Sequence, residues 1–242
     1  MENNSKITEI PIHKKYVLVF DVETTGLIPK KTPNDTTPLS ITEYPYIIQF
    51  SFSLYDTICN RMEILYDSYI HIPDDVVISE FVNNLTGISL DDCSKKGRNI
   101  VDALIAFNIA YKNSNVLVAH NIEFDCNMIM IEVQRNKEEL LKRAPECFML
   151  FNSMYERTNN IERYCTMLKG IEMCNIKIES KTPGKLPRKK WPKLFELYEH
   201  LFNGEKVEGL HNSMVDVKTT LKCYLKMRHN YLLLFPINSI RG

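Results

Sequence analysis

Residues 17–27 read VLVFDVETTGL. An apolar run delivers Asp21 and Glu23, and Thr24-Thr25-Gly26 then breaks it. If the run is a strand, residues i and i+2 face the same way. Two carboxylates then stand side by side and repel one another unless a cation lies between them. Hard oxygen ligands of this kind suit Mg²⁺ or Mn²⁺. Taken alone, the pattern equally fits a strand with an acidic edge.

Two further motifs add weight. Residues 116–125, VLVAHNIEFD, repeat the theme: a short apolar run ends in His120 and Asn121, and a helical pattern follows carrying Asp125. Strand-to-helix junctions of this type are where sites form in α/β folds. Residues 211–216, HNSMVD, set His211 five positions before Asp216. A helix beginning near Ser213 puts Asp216 on its first turn and His211 on the approach to it. Singly, Asp125 and Asp216 read as first-turn acids facing a helix dipole, and His211 as a surface residue. Jointly, four acids at element ends with one histidine beside them point to a metal site with a base.

The elements that must carry these residues follow from periodicity. Residues 15–22, 46–55 and 62–72 read as strands of one meander, with a Pro/Thr/Asn loop at 32–38. Helical spacing covers 76–85 and 99–112, with Gly97 between them. A short strand at 115–119 precedes a helix at 124–136. Residues 149–155 fit helix or loop, 164–167 a last short strand, and 178–193 a proline-rich loop. Helices follow at 194–201, ended by Asn203-Gly204, and at 214–228. Strands first, then strands alternating with helices, give an α/β fold: a mixed sheet flanked by helices. No linker divides the 242 residues, which read as one domain with its core at about 15–229, an N-terminal extension 1–14 and a C-terminal tail 230–242.

Composition narrows the function classes. Net charge is zero, so affinity for a polyanion must come from local clustering. Seven cysteines, an odd number without a C-x-x-C pair, argue against a disulfide framework or zinc cluster and for reduced thiols. No signal peptide and no membrane-spanning run are read. The expectation is an intracellular protein, cytoplasmic or nuclear. The apolar run 231–235, YLLLF, is too short to span a bilayer and reads as core packing or a docking element.

Together the motifs resemble the DEDDh (DnaQ-like) 3′→5′ exonucleases of the RNase H-like superfamily. FDVETTGL is similar to the first motif of that family, AHNIEFD to the second and HNSMVD to the third. The histidine five before the last Asp marks the h subtype; the tyrosine position of the y subtype holds Asn212. The resemblance runs from about Tyr16 to Leu225. Ser213 stands where the family commonly has Ala, with no loss of activity expected, and residues 144–160 look longer than a minimal member needs.

The resemblance implies an RNase H-like five-stranded mixed sheet and hydrolysis at 3′ ends with two Mg²⁺ (or Mn²⁺) ions per site. By it, Asp21, Glu23 and Asp216 hold one metal, Asp21 bridges to the second, Asp125 acts mainly through water, and His211 is the general base. Adjacent carboxylates are expected to raise the pKa of His211. Thr24 and Thr25 are expected to meet the terminal sugar and Leu27 to wedge against the last base. Phe124 and His120 offer stacking surface, and Asn121 completes the nucleotide-binding set. Core packing remains the competing reading for Leu27 and Phe124.

The stretch 181–193, KTPGKLPRKKWPK, is the strongest charge cluster. Lys185, Arg188, Lys189 and Lys190 are its candidate phosphate contacts, against the alternative of a solvated loop. A nuclear-localisation reading of 188–190 is weaker. The expected partner is nucleic acid, single-stranded or frayed at its 3′ end and DNA ahead of RNA, with a polymerase or a replication or repair complex as a further candidate. The rival readings are an RNA-directed exoribonuclease, a proofreading subunit, and a silent nucleic-acid-binding module; the last predicts a missing metal ligand, and none is missing.

Overall fold

The computed structural model describes residues 15–30, 39–179 and 186–229. The expected loop 32–38, Lys185 and the apolar run 231–235 lie outside them.

Three strands open the chain: β1 (Tyr16–Thr24), β2 (Ile47–Asp56) and β3 (Arg61–Tyr69). Helices α1 (Glu80–Thr86), α2 (Leu90–Lys96) and α3 (Ile100–Lys112) lead to β4 (Val116–Ala119) and α4 (Ile122–Arg135). Helices α5 (Lys137–Arg143) and α6 (Ser153–Thr158) precede β5 (Glu162–Cys165) and α7 (Thr166–Cys174). A two-residue hairpin, β6 (Lys177–Ile178) with β7 (Arg188–Lys189), is followed by α8 (Leu194–Leu201) and α9 (Ser213–His229). The main sheet runs β3-β2-β1-β4-β5. The first three strands pair antiparallel, and β4 and β5 join parallel to β1.

β1 is the centre of this sheet, and its alternation sorts the core. Leu18, Phe20 and Val22 pack with Phe50, Phe52, Phe107 of α3 and Ile129 of α4. Val17 and Val19 pack on the other face with Val116, Val118 and with Val217, Leu221 and Tyr224 of α9. The odd face of β1 therefore looks at α9, and Asp21 and Glu23 continue it beyond the apolar core.

Sequence expectation and structure differ in four places. The helix expected over 76–85 starts only at Glu80, because Ser79 caps it by accepting the Val82 amide at 3.3 Å. Periodicity gave helix α2 no range of its own, although Ser89 and Asp92 form a reciprocal capping box at its start. The strand expected at 164–167 ends at Cys165, and α7 begins at once. The stretch expected as loop at 178–193 contains β7, paired to β6 through Lys177–Lys189 and Ile178–Arg188. The long stretch 144–160 forms a 3-10 turn and α6, tied down by a buried cluster: Tyr111 Oη donates to Glu156 Oε1, and Arg163 grips the same carboxylate.

Candidate active site

β1 outruns its parallel neighbour. Its last pair with β4 is Val19–Val118, so the β4-facing edge of β1 beyond that point has no strand partner. α4 starts where β4 stops and fills this gap. The Val22 amide, between Asp21 and Glu23, donates to Asp125 Oδ1 at 3.2 Å. The unpaired strand edge is thus satisfied by a side chain of the second motif, which brings three acids to one strand end.

The fourth acid comes from α9. Asn212 caps this helix, its Oδ1 accepting the Val215 amide at 3.3 Å. The chain enters through His211, whose φ of 69° is left-handed. The backbone N–H of His211 donates to Asp216 Oδ2 at 3.3 Å. The first turn is held from behind by buried groups of the sheet. Gln49 Oε1 accepts the Ser213 amide at 3.2 Å, and Ser51 Oγ bonds Ser213 Oγ. Asp67 Oδ1 accepts from both Gln49 Nε2 and Ser51 Oγ, at 2.8 and 2.7 Å. Ser213, in the position where the family commonly has Ala, is thus part of a relay that runs from buried Gln49 and Ser51 out to Asp67.

Asp216 is buried, and its Oδ1 has no hydrogen-bond partner. A buried carboxylate oxygen left this way is costly. Glu23, His211 and Asp216 bring one ligand atom each to within 4.8 Å of one another. The donor set is carboxylate oxygen with one imidazole, which suits a hard or borderline divalent cation. Burial pushes the carboxyls up, with neighbouring acids adding at Glu23, Asp21 and Asp125: Glu23 to about 8, Asp216 to about 7, and Asp21 and Asp125 well above the usual range. Asp21 feels the charges of Asp125, Asp216 and Glu23 in addition to its burial. Four mutually repelling acids with an unsatisfied oxygen among them form a cluster whose strain a cation would relieve.

His211 corrects one expectation. Its pKa is lowered, not raised: burial dominates and the Lys193 cation adds to it. The imidazole is therefore neutral near pH 7 and able to accept a proton.

The nucleotide-binding candidates divide. Leu27 is 80% exposed just past the strand end, so core packing does not account for it. Phe124 is half-buried and packs on the main core. Asn121 is exposed, with a left-handed φ of 74° at the start of α4. Thr24 Oγ1 donates to the Gly26 carbonyl at 2.7 Å, and Thr25 Oγ1 accepts the Tyr46 amide at 3.0 Å. These hydroxyls build the turn that displays Leu27. His120 is corrected as stacking surface. Its Nε2 meets the Pro192 carbonyl and its Nδ1 the Thr166 hydroxyl, each at 3.0 Å. Burial lowers its pKa to about 4, so the ring is neutral. Nε2–H then donates to Pro192, and Nδ1 accepts from Thr166. The ring is a latch.

The basic stretch is also redistributed. Lys189 pairs with Glu172 and Lys190 with Glu196. Arg188 is exposed. Lys193, whose charge reaches His211, was not among the candidates chosen from sequence.

Comparison with known proteins now has a site to rest on. A family model described as "Exonuclease" (RNase_T) matches residues 18–224. The chain belongs to this exonuclease family. Its three motifs and five-stranded sheet are those expected from the resemblance. A search among proteins of curated function returns no match. Among solved structures, the exonuclease is similar to E. coli exonuclease I bound to a dT13 oligonucleotide, with TM-score 0.58 and 15% identity over 90% of this chain and 42% of that one. The complex of the E. coli enzyme with dA16 gives TM-score 0.57 and 18% identity over 90% and 42%. Its zinc-bound single-stranded DNA complex gives 0.58 and 17% over the same shares. The chain thus spans about two fifths of the length of exonuclease I. The family is divalent-metal dependent, and the carboxylate and imidazole set fits such an ion. Among the described residues, no helix is long and apolar enough to cross a membrane.

Proposed function

We propose that this exonuclease removes nucleoside 5′-monophosphates one at a time from the 3′-hydroxyl ends of single-stranded or frayed DNA. The observation that carries the proposal is the convergence of Asp21, Glu23, Asp125 and Asp216 at the end of β1, with the unpartnered Asp216 Oδ1 among them. The four acids would hold two Mg²⁺ or Mn²⁺ ions, which on binding supply charge stabilisation for the attacking and leaving oxygens.

The chain's own residues do the rest. Neutral His211 takes the proton of the attacking water, whose oxygen bonds to the terminal phosphorus as the bond to the preceding sugar's 3′-oxygen breaks. The backbone N–H of His211 fixes Asp216 at the same time. Leu27, held out by the Thr24–Gly26 turn, wedges under the last base. Exonuclease I complexes with dT13 and dA16 favour single-stranded DNA as substrate.

The test uses 5′-labelled and 3′-labelled DNA and RNA oligonucleotides with Mg²⁺, Mn²⁺ or Ca²⁺. Stepwise loss from 3′-hydroxyl ends of DNA is expected, with blockage by a 3′-phosphate, which brings extra negative charge to an acidic site. Blunt duplex should be slower than single strand. Faster loss from RNA would make the enzyme an exoribonuclease. Cutting of a closed circular single strand would show an endonuclease.

A further inference from the structure

The arm 186–193, which leads into α8, has a built foot and an exposed indole beside it. Pro192 is buried at the foot, with its carbonyl latched by His120 at 3.0 Å. Its ring lies against Gly170 of α7, where an added Cβ would meet Pro192 Cγ at 3.1 Å and Leu197 Cδ1 at 2.9 Å. The glycine lets the arm sit close without displacing the Pro192 ring or the Leu197 side chain. Lys189 and Lys190 are pinned by Glu172 and Glu196, and the Lys190 amide donates to the Ile176 carbonyl at 2.8 Å. Between two such anchored neighbours, Trp191 is 63% exposed. It lines a cavity of about 290 Å³ with Ile178, Arg188, Lys189 and Lys190. That volume is close to the lower end of small-molecule pockets, about 300 Å³. Arg188 has no ion pair among the described residues, and Lys193 follows directly on the side of His211.

An exposed indole between two anchored neighbours, with an arginine that has no ion pair among the described residues, beside a site that acts on nucleic acid, matches how single strands are gripped without sequence preference. Bases stack on an aromatic face while cations follow the phosphates. We propose that this arm is a second nucleic-acid subsite: Trp191 stacks on a base upstream of the terminal nucleotide, and Arg188 and Lys193 meet the strand's phosphates. The proposal rests on the reading of the acidic cluster as the site that takes the 3′ end. It also moves the contact away from Lys189 and Lys190, whose charges are already spent on glutamates.

Trp191 is the only tryptophan of the chain, so its emission reports this subsite alone. The full-length protein in EDTA is titrated with oligothymidylates from two to twelve nucleotides. Saturable quenching is expected for the longer strands and not for the dinucleotide, which ends before the arm. By anisotropy of a 5′-labelled dodecamer, Trp191→Ala should weaken binding roughly tenfold, as expected for the loss of one stacked base. Trp191→Phe should restore most of it, which separates stacking from loss of fold. Arg188→Gln should flatten the logarithmic salt slope by about 0.7.

Binding of the dodecamer without quenching, or equal affinity in Trp191→Ala, overturns the proposal. Equal quenching by polyglutamate would mark a nonspecific polyanion patch and also overturn it. Hydrolysis without quenching fails this inference alone. Quenching without hydrolysis under any divalent ion fails the exonuclease reading and leaves a single-strand binding arm.

Discussion

The Val22 amide donates to Asp125 Oδ1 at 3.2 Å, joining the first and second motifs across 103 residues of chain. The bond has two consequences. It satisfies a strand edge that β4 is too short to pair. It also fixes one oxygen of Asp125 against the backbone, in a carboxyl whose charge is felt by Asp21 and which itself feels Asp216. Acidic side chains are thus positioned by backbone geometry, and their mutual repulsion is held in check by the fold until a cation arrives.

Asp21 is the residue that feels all three other acids, so it should be the least replaceable. Asp21→Asn keeps the volume and removes one charge from the set that would balance two divalent ions. Turnover should fall to background, while the melting temperature in EDTA stays level or rises, because one repelling charge is gone. Near-normal Mg²⁺-dependent activity in this variant would contradict the site assignment.

The raised carboxyl pKa values set a pH dependence with a definite sign. An unfolded chain releases these protons near pH 4, whereas the folded, metal-free protein keeps them up to about 7 at Asp216 and about 8 at Glu23. Between those limits the folded state holds more protons, so its stability falls as pH rises. The metal-free melting temperature should therefore drop between about pH 5 and pH 8. Added Mg²⁺ or Mn²⁺ should stabilise more at the upper end than at the lower, because the ligands must be deprotonated to bind. Thermal scans at both pH values, with and without metal, check this; a metal-free profile that rises with pH would be inconsistent with the buried cluster.

His211 should show its role in kcat. A general base contributes about 10²–10⁴-fold, and His211→Ala should lose that order while the melting shift produced by Mn²⁺ largely persists. Lys193 helps keep the imidazole pKa low. Lys193→Met should move the acidic limb of the pH–rate profile to higher pH, since the lost cation no longer opposes protonation. An unchanged limb in Lys193→Met, or unchanged kcat in His211→Ala, would remove the base from this position.

The acids were legible in sequence because residue type and place at an element end are local facts. Their environment was not. The direction of the His211 shift depends on burial and on Lys193, 18 positions earlier, and packing alone decides both. The relay from Asp67 through Gln49 and Ser51 to Ser213 left no sequence signal, since its central bond spans 164 residues. His120 was legible as part of a motif, but its partners Thr166 and Pro192 belong to elements read only loosely. Periodicity missed helices α2 and α7 because seven and nine residues give too little period, and no breaker separates α7 from β5. Ser213→Ala, expected from sequence to leave activity unchanged, should cost about 1 kcal/mol of stability for one buried hydrogen bond.

A last prediction concerns how Leu27 is held. Arg135 Nη2 donates to the carbonyls of Ile41, Tyr44 and Pro45 at 3.2, 3.0 and 3.1 Å, and its guanidinium lies 3.8 Å from the Tyr46 ring centroid. Glu132 pairs with Arg135 and accepts the Ile47 amide at 3.2 Å. Tyr46 in turn bonds Thr25 through both its amide and its carbonyl, at 3.0 and 2.9 Å. A buried ion pair on α4 therefore sets the segment that sets the Leu27 turn. Arg135→Ala would strand the Glu132 charge and should cost about 3–5 kcal/mol, enough to confuse loss of function with loss of fold. Arg135→Lys is the sharper variant, because it keeps the charge and loses the planar fork that reaches three carbonyls. Its stability should fall modestly, and KM for a single-stranded oligonucleotide should rise more than kcat falls, since the wedge is loosened while the acids stay in place. A fall in kcat with KM unchanged would show that the clamp supports the acids and not the Leu27 turn.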